Sequence, residues 1–422
     1  RILGSTDDAE LFEALSQRPA DPEGLFRLGY RLADQGRPDI AVRLLERSLA
    51  GLPADTGVRR ELAFARLQSR DFEGCLRALI PLEDDPNLSE TERLEVLLTQ
   101  AEAALLAGRR EVSRDFLERA EELVPEDDQR DRLDALNAQL GRASLVPDLR
   151  AAGLREWHFI QHAGVILKTA GGWFEDDSRG GRFDVLALRG DMVAFLLQRL
   201  AQLLERFGLR HDAVAPASDL AAPLAHALAA RLGAEFVPDL ASRGERTTLL
   251  VAASAGELAP HVAQLVRNSG DVRVFALNLD WEHDAPVCPD VAGVLARRVL
   301  LPWEPRYALG DDRRELQPVA PDAREPAELG RELRELMDNL PYDDGGAARD
   351  EFETLYAAWR GQLVLGNESV HPARRRFTAL SPFWPAPREQ GGDGRIETSR
   401  ATTDDDEPDE PDMPEPPGED ES

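Results

Sequence analysis

The sequence predicts a multidomain chain: an all-α helical repeat array, an α/β domain with a mostly parallel sheet, C-terminal helices and a disordered acidic tail. Three observations predict it. Apolar and small residues recur with a period near 34 across residues 22–127. After residue 150, strand-like and helix-like segments alternate. From about residue 390 the apolar residues give out, and acids and prolines replace them. The domains expected are 1–145, 151–310 and 311–389, with the tail at 390–422.

Composition bounds the function classes. In 422 residues, 42% hydrophobic, no apolar run has the length a membrane helix needs. The best candidate, 220–232, is interrupted by Pro223, His226 and Arg231. The formal charge is −29, from 79 acidic and 50 basic residues. Residues 401–422 hold 11 of the acids and no base, so the body is acidic as well as the tail. Such a field repels phosphate backbones and argues against nucleic-acid partners, and no membrane partner is expected. Lys168 is the single lysine; arginine in its place elsewhere fits a GC-rich genome, and an acidic, lysine-poor surface also fits high cytoplasmic salt. Cys75 and Cys288 lie in different segments, which suits a reducing, cytoplasmic location without a structural disulfide. The chain opens on Arg1 rather than Met, so silence about a leader carries little weight.

An entering helix is expected at 7–16, with Leu11, Phe12 and Leu15 on one face. Leu28, Gly29, Gly36, Ala41, Leu45 and Pro53 are answered, 34 positions on, by Leu62, Ala63, Arg70, Cys75 and Leu79. A third unit carries Ala101, Gly108, Ser113, Leu117, Ala120 and Pro125 after a shift of 38, the extra residues falling at 84–87. Pro53 and Pro125 end helices, whereas Pro38 suits a first turn. Residues 129–140 read as a cap, with Leu133, Leu136 and Leu140 inward. This pattern resembles the tetratricopeptide repeat, although Leu25 stands where that family commonly has tryptophan.

The resemblance implies a concave face lined by the first helix of each unit. It would carry Glu23, Phe26, Tyr30 and Asp34, then Arg60, Phe64 and Gln68, then Glu95, Leu98 and Glu102. Aromatics beside charges are what a peptide groove offers, and the alternative is that Phe26, Tyr30 and Phe64 pack between repeats. A protein or peptide is the expected partner.

Residues 141–150 read as a linker. Strands are expected at 158–169, 182–189, 212–216, 235–237, 248–252, 272–279 and 299–301. A glycine-rich turn is expected at 171–181, and helices at 191–207, 220–232 and 257–268. The order is similar to the core of type I phosphoribosyltransferases, with residues 215–219 and 251–256 in the places of that family's ligand loops. Ala252 and Ala253 occupy the position of its acidic pair, so the resemblance implies a domain stripped of transferase chemistry. Ser254, Gly256 and the amides after them form a possible anion site, or an ordinary turn capped by Ser254.

No residue set stands out as catalytic, and neither a metal nor a cofactor is expected. As a strand, 158–169 would put His158 and His162 roughly 13 Å apart, too far to share an ion. His283, Asp284 and Cys288 share one loop and form only a weak catalytic pattern. Residues 367–369 match a glycosylation sequon, which lacks a secretion signal to go with it. Helices are expected at 326–339 and 347–363. The basic stretch 371–377 and the aromatic, proline-rich stretch 381–387 follow, as a docking motif or a strap over the body. The function expected is an adaptor built on the repeat groove. The alternative is a nucleotide- or phosphosugar-binding protein or enzyme using the carboxyl-end crevice of the sheet.

Overall fold

In the computed structural model, several helices begin where the sequence supplies a cap or a first-turn proline. The described residues are 6–365 apart from 84, 124, 169–181, 269, 310–315 and 341–345, and they belong to one compact unit, Arg1–Ala386. The glycine-rich turn, the sequon, the stretches 371–377 and 381–387, and the acidic tail lie outside them.

Helices α1 (Thr6–Gln17), α2 (Pro22–Asp34) and α3 (Pro38–Gly51) come first, with Pro22 and Pro38 in first turns. Next are α4 (Thr56–Gln68) and α5 (Phe72–Leu79), capped by Asp55 and Asp71 through the amides of Val58 and Gly74. Helix α6 (Glu90–Leu106) opens with a Ser89–Glu92 capping box, and α7 (Arg110–Glu121) and α8 (Asp127–Ala143) follow. Helix α2 packs on α3, α4 on α5 and α6 on α7, and each pair packs on the next.

The turns within the three pairs are built alike. Gly36, Arg70 and Gly108 take left-handed φ angles of 74°, 68° and 75°. The amides of Arg37, Asp71 and Arg109 bond back to Leu32, Arg66 and Ala104 at 2.8, 2.9 and 2.8 Å. Small residues set the crossings: a Cβ on Gly29 would lie 2.8 Å from Leu45, and Ala41, Ala63 and Cys75 are fully buried.

Residues 141–150 are not a free linker. Helix α8 continues to Ala143, Val146 and Leu149 are buried, and Arg142 donates from Nε to the Ile160 carbonyl at 2.7 Å. A second correction follows at once, for residues 154–162 are helical. Helix α9 (Leu154–His162) is opened by Glu156, which accepts from the Gly153 amide at 2.9 Å, and Ala163 ends it at φ 54°. A short run such as 157–160, three apolar residues with His158 among them, does not by itself separate strand from buried helix. Only Val165–Ile166 pair as β1.

Then come β2 (Arg182–Ala187), α10 (Gly190–Arg206), β3 (Ala213–Pro216), α11 (Ala222–Leu232), β4 (Glu235–Phe236) and β5 (Thr248–Ser254). The helix expected at 257–268 is divided: a 3-10 stretch Ala255–His261, holding Pro260, precedes α12 (Val262–Arg267). Strand β6 spans Val272–Leu279. Strand β7 is far longer than expected, Val291–Leu300. Gly293 and Arg297-Arg298 disguise it in the sequence. Gly293 belongs there because a Cβ would lie 2.4 Å from the Leu277 carbonyl oxygen on β6.

Every pairing in this sheet is parallel, in the order β1-β7-β6-β5-β3-β4, and β2 also pairs with β7. The chain reverses its direction across the sheet between β3 and β5. Leu249, Val251, Phe275 and Leu277 join the cluster with α10 and α11, while Leu250, Ala252, Val274 and Ala276 face Leu258 and Leu265. Burial on both faces is what a parallel sheet requires.

A hairpin of β8 (Arg306–Leu309) and β9 (Leu316–Val319) leads to α13 (Pro326–Asp338) and α14 (Gly346–Trp359). Gly330 lets α13 cross α11 closely, since a Cβ there would lie 2.5 Å from that of His226. Trp359 stacks on Phe159 with centroids 4.2 Å apart. The Tyr356 hydroxyl accepts from the Ile166 amide at 3.1 Å and contacts its carbonyl at 3.3 Å, closing the outer edge of β1. Among the described residues no helix is long and apolar enough to cross a membrane.

Candidate functional site

The ten residues expected to line a groove fall into an open half and a closed half. On α2, Glu23 and Asp34 are exposed, Tyr30 is 50% exposed, and Phe26 is half-buried with its ring 6.5 Å from that of Tyr30. On α4, Phe64 is 47% exposed. Arg60 is tied to Glu92 of α6 at 3.0 Å. The Gln68 amide oxygen is buried and has no hydrogen-bond partner among the described residues. Glu61, one turn before Phe64, has its pKa raised by burial, against the opposing charge of Arg60.

The α6 portion is closed by the cap. Arg132 of α8 reaches Glu95 and Glu102 at 2.8 Å each, and Gln129 donates to Glu95 at 3.1 Å. Burial opposes the charge on Arg132, but Glu102 and Glu95 outweigh it and raise its pKa. Leu98 does not line a groove at all. It is 0% exposed, in one core cluster with Leu133 and Leu136, because α8 lies across this side of α6. Sequence reasoning missed Glu61, Glu92 and Arg132. The spacing of Arg132 from Glu95, near the repeat period, is the signal that could have found the clamp.

The second region is the carboxyl end of the sheet where β3 and β5 diverge, the usual place for a ligand in such sheets. Here the chain's own carboxylate occupies the turn. Glu257 Oε2 accepts from Ser218 Oγ at 2.8 Å and from the Ala253 amide at 3.0 Å. Burial raises the pKa of Glu257, and the charge of Glu304 adds to the effect against the lowering hydrogen bonds. His261 Nε2 donates to the Ala217 carbonyl at 2.9 Å. Of the expected anion residues, Ser254 is half-buried and makes no side-chain cap bond, and Gly256 is exposed. Ser218, Glu257 and His261 were not singled out from the sequence, since only the pairing of β3 beside β5 brings them together.

The scattered histidines resolve separately. His158 and His162 sit one turn apart on α9 with ring centroids 5.3 Å apart, correcting the strand spacing. His158 is fully buried, and burial pushes its pKa down to about 3. Among the described residues no cluster of three or more His, Cys, Asp or Glu is placed to hold a metal. His283 pairs with Asp280 at 2.9 Å. The segment from His283 to Cys288 runs back across a face of the sheet, with Ala285 and Val287 buried against it. His283 follows the carboxyl end of β6 and Cys288 precedes the amino end of β7, so the two stand at opposite ends of the sheet. Cys75 and Cys288 are both free thiols.

No protein-family model, curated protein or solved structure matches this chain.

Proposed function

We propose that the three helix pairs are tetratricopeptide-type units and that the chain is an adaptor, holding a segment of another protein along the open face of α2 and α4. One observation carries the reading. Tyr30 and Phe64 occupy the same place in successive units and leave about half their surface in water. A ring that only packed between repeats would be covered, and exposed aromatics on a rigid helix face are efficient anchors for a partner. The three like-built turns and the small residues at the crossings support the repeat assignment.

The α/β domain is, in this reading, a degenerate relative of the phosphoribosyltransferase core that braces the array. Ala252 and Ala253 are buried in β5, so the positions matching the acidic pair offer no carboxylate. Glu257 takes the turn's donors, and with Glu304 it puts negative charge where a phosphate would enter. That weighs against the nucleotide or phosphosugar reading. A cytoplasmic location fits the two free thiols.

The test compares proteins captured from the native host by the wild-type chain, by Tyr30→Ala/Phe64→Ala, and by Tyr307→Ala as a control exposed elsewhere. A set retained by the wild type and the control but lost by the double variant, at unchanged melting temperature, is the expected result. Identical sets for all three would refute the groove.

A further inference from the structure

Strand pairing leaves the two outer edges of the β8–β9 hairpin unlike. Across the ladder Arg306 stands opposite Val319, Tyr307 opposite Pro318 and Ala308 opposite Gln317. Pro318 has no amide to donate to Tyr307, so these two do not form a hydrogen-bonded pair. The ladder bonds therefore belong to the Arg306–Val319 and Ala308–Gln317 pairs, which alternate with it. It follows that the amide and carbonyl of Tyr307, and those of Leu309, turn away from β9. Neither backbone group of Tyr307 bonds to another loop or element among the described residues.

On the β9 side, Pro318 interrupts the outward row of donors, a common protection of an edge strand. The β8 side has no such guard. Tyr307 is 72% exposed, and Pro305, Arg306 and residues 317–320 are exposed as well. Strands β8 and β9 pack on each other and on no other element to a comparable extent. A two-stranded ribbon alone is marginal in water, so a further strand along β8 would stabilise it.

Charge restricts what that strand can be. Each chain carries −29, so two bodies of this kind repel one another. The hairpin is balanced instead, with Arg306, Arg313 and Arg314 against Asp311, Asp312 and Glu315. Two copies can meet there without bringing like charge together. An antiparallel approach also runs Arg306 of each copy toward Asp311 and Asp312 of the other, which follow β8 in the sequence. A twofold axis makes that attraction twice.

Going beyond the adaptor reading and resting on none of it, we propose that the β8 edge is a contact between two copies of this chain. Strand β8 of one copy pairs antiparallel with β8 of the second, Tyr307 opposite Leu309, and the two hairpins become one sheet.

The test is sedimentation velocity of the full chain over a wide range of concentration, joined to cross-linking. The wild type should pass from monomer to dimer as concentration rises. Tyr307→Pro gives β8 the guard that Pro318 gives β9, removing an amide used only between copies and leaving the ladder bonds in place. It should raise the dimer dissociation constant at least about tenfold, with the circular dichroism spectrum unchanged. Arg306→Glu should weaken the dimer in the same direction. In the proposed register position 308 faces its own copy across the axis. Ala308→Cys should therefore form a disulfide between copies under mild oxidation, whereas Gln317→Cys on β9 and the wild type should not. A chain that stays monomeric at every concentration overturns the proposal and leaves the edge to a foreign strand. A dimer undiminished by Tyr307→Pro, or one that cross-links equally through Gln317→Cys, lies elsewhere on the surface and overturns it too.

Discussion

His158 shows how one side chain can set a response of the entire fold. Its imidazole is fully buried in α9, and burial pushes its pKa down to about 3; burial likewise brings His211 down to about 4, with Arg273 adding to the shift and Asp212 opposing it. In the unfolded chain a histidine titrates near pH 6.5. Between those values the unfolded state binds more protons, so stability is complete above about pH 6.5 and drains away as the pH falls. For His158 the loss should reach about 2 kcal/mol at roughly pH 5. Urea denaturation of wild type and His158→Leu at about pH 7.5 and about pH 5 tests this. The gap between the two pH values should narrow by about 2 kcal/mol in the variant; an unchanged gap would show that some other group carries the acid sensitivity.

Among the elements, the turn between α4 and α5 departs from its two siblings. Gly36 and Gly108 adopt the left-handed conformation freely, whereas Arg70 adopts it with a Cβ, at a cost of about 1 kcal/mol. Burial also lowers the pKa of its guanidinium. Arg70→Gly should therefore raise stability by up to about 1 kcal/mol, read as a higher urea midpoint at constant slope. A lower midpoint would mean that the arginine side chain contributes more than its backbone costs. This turn was legible in the sequence, because Gly36, Arg70 and Gly108 mark it in register. So were several helix starts, which depend on a cap or a first-turn proline within a few residues. Helix α9 was not legible, since the short run Trp157 to Ile160, three apolar residues and a histidine, satisfies either period. Strand β7 was hidden by a glycine needed for close approach to β6 and by two arginines at its exposed end. The burial of Leu98 and the Arg132 clamp depend on where α8 comes to rest, and no local pattern encodes a docking angle. The repeat put Tyr30 and Phe64 at equivalent positions but left open whether their rings were covered, and each is about half exposed.

At the scale of the molecule, the cores do not follow the apparent domain boundary. One face of α6 packs with α1 to α5 through Val96, Ala103 and Ala104. Its opposite face, through Leu94, Leu97 and Leu98, belongs with α7, α8 and the α/β domain in a continuous cluster. A fragment of residues 1–145 should accordingly be helical by circular dichroism but unevenly stable. Amides of α6 to α8 should exchange faster in the fragment than in the full chain, while those of α2 to α5 keep their protection. Equal protection throughout would show that the array is autonomous. The phenol that closes β1 has a consequence in time. Strand β7, on which β1 pairs, ends at Leu300, and Tyr356 follows 56 residues later. A ribosome adding about 5–20 residues per second needs roughly 3–11 s to cover that distance. Through that interval the Ile166 amide on the newborn sheet waits for its phenol while Arg155 already reaches the Ile166 carbonyl, and a product truncated short of Tyr356 leaves that amide open to a passing strand for its lifetime.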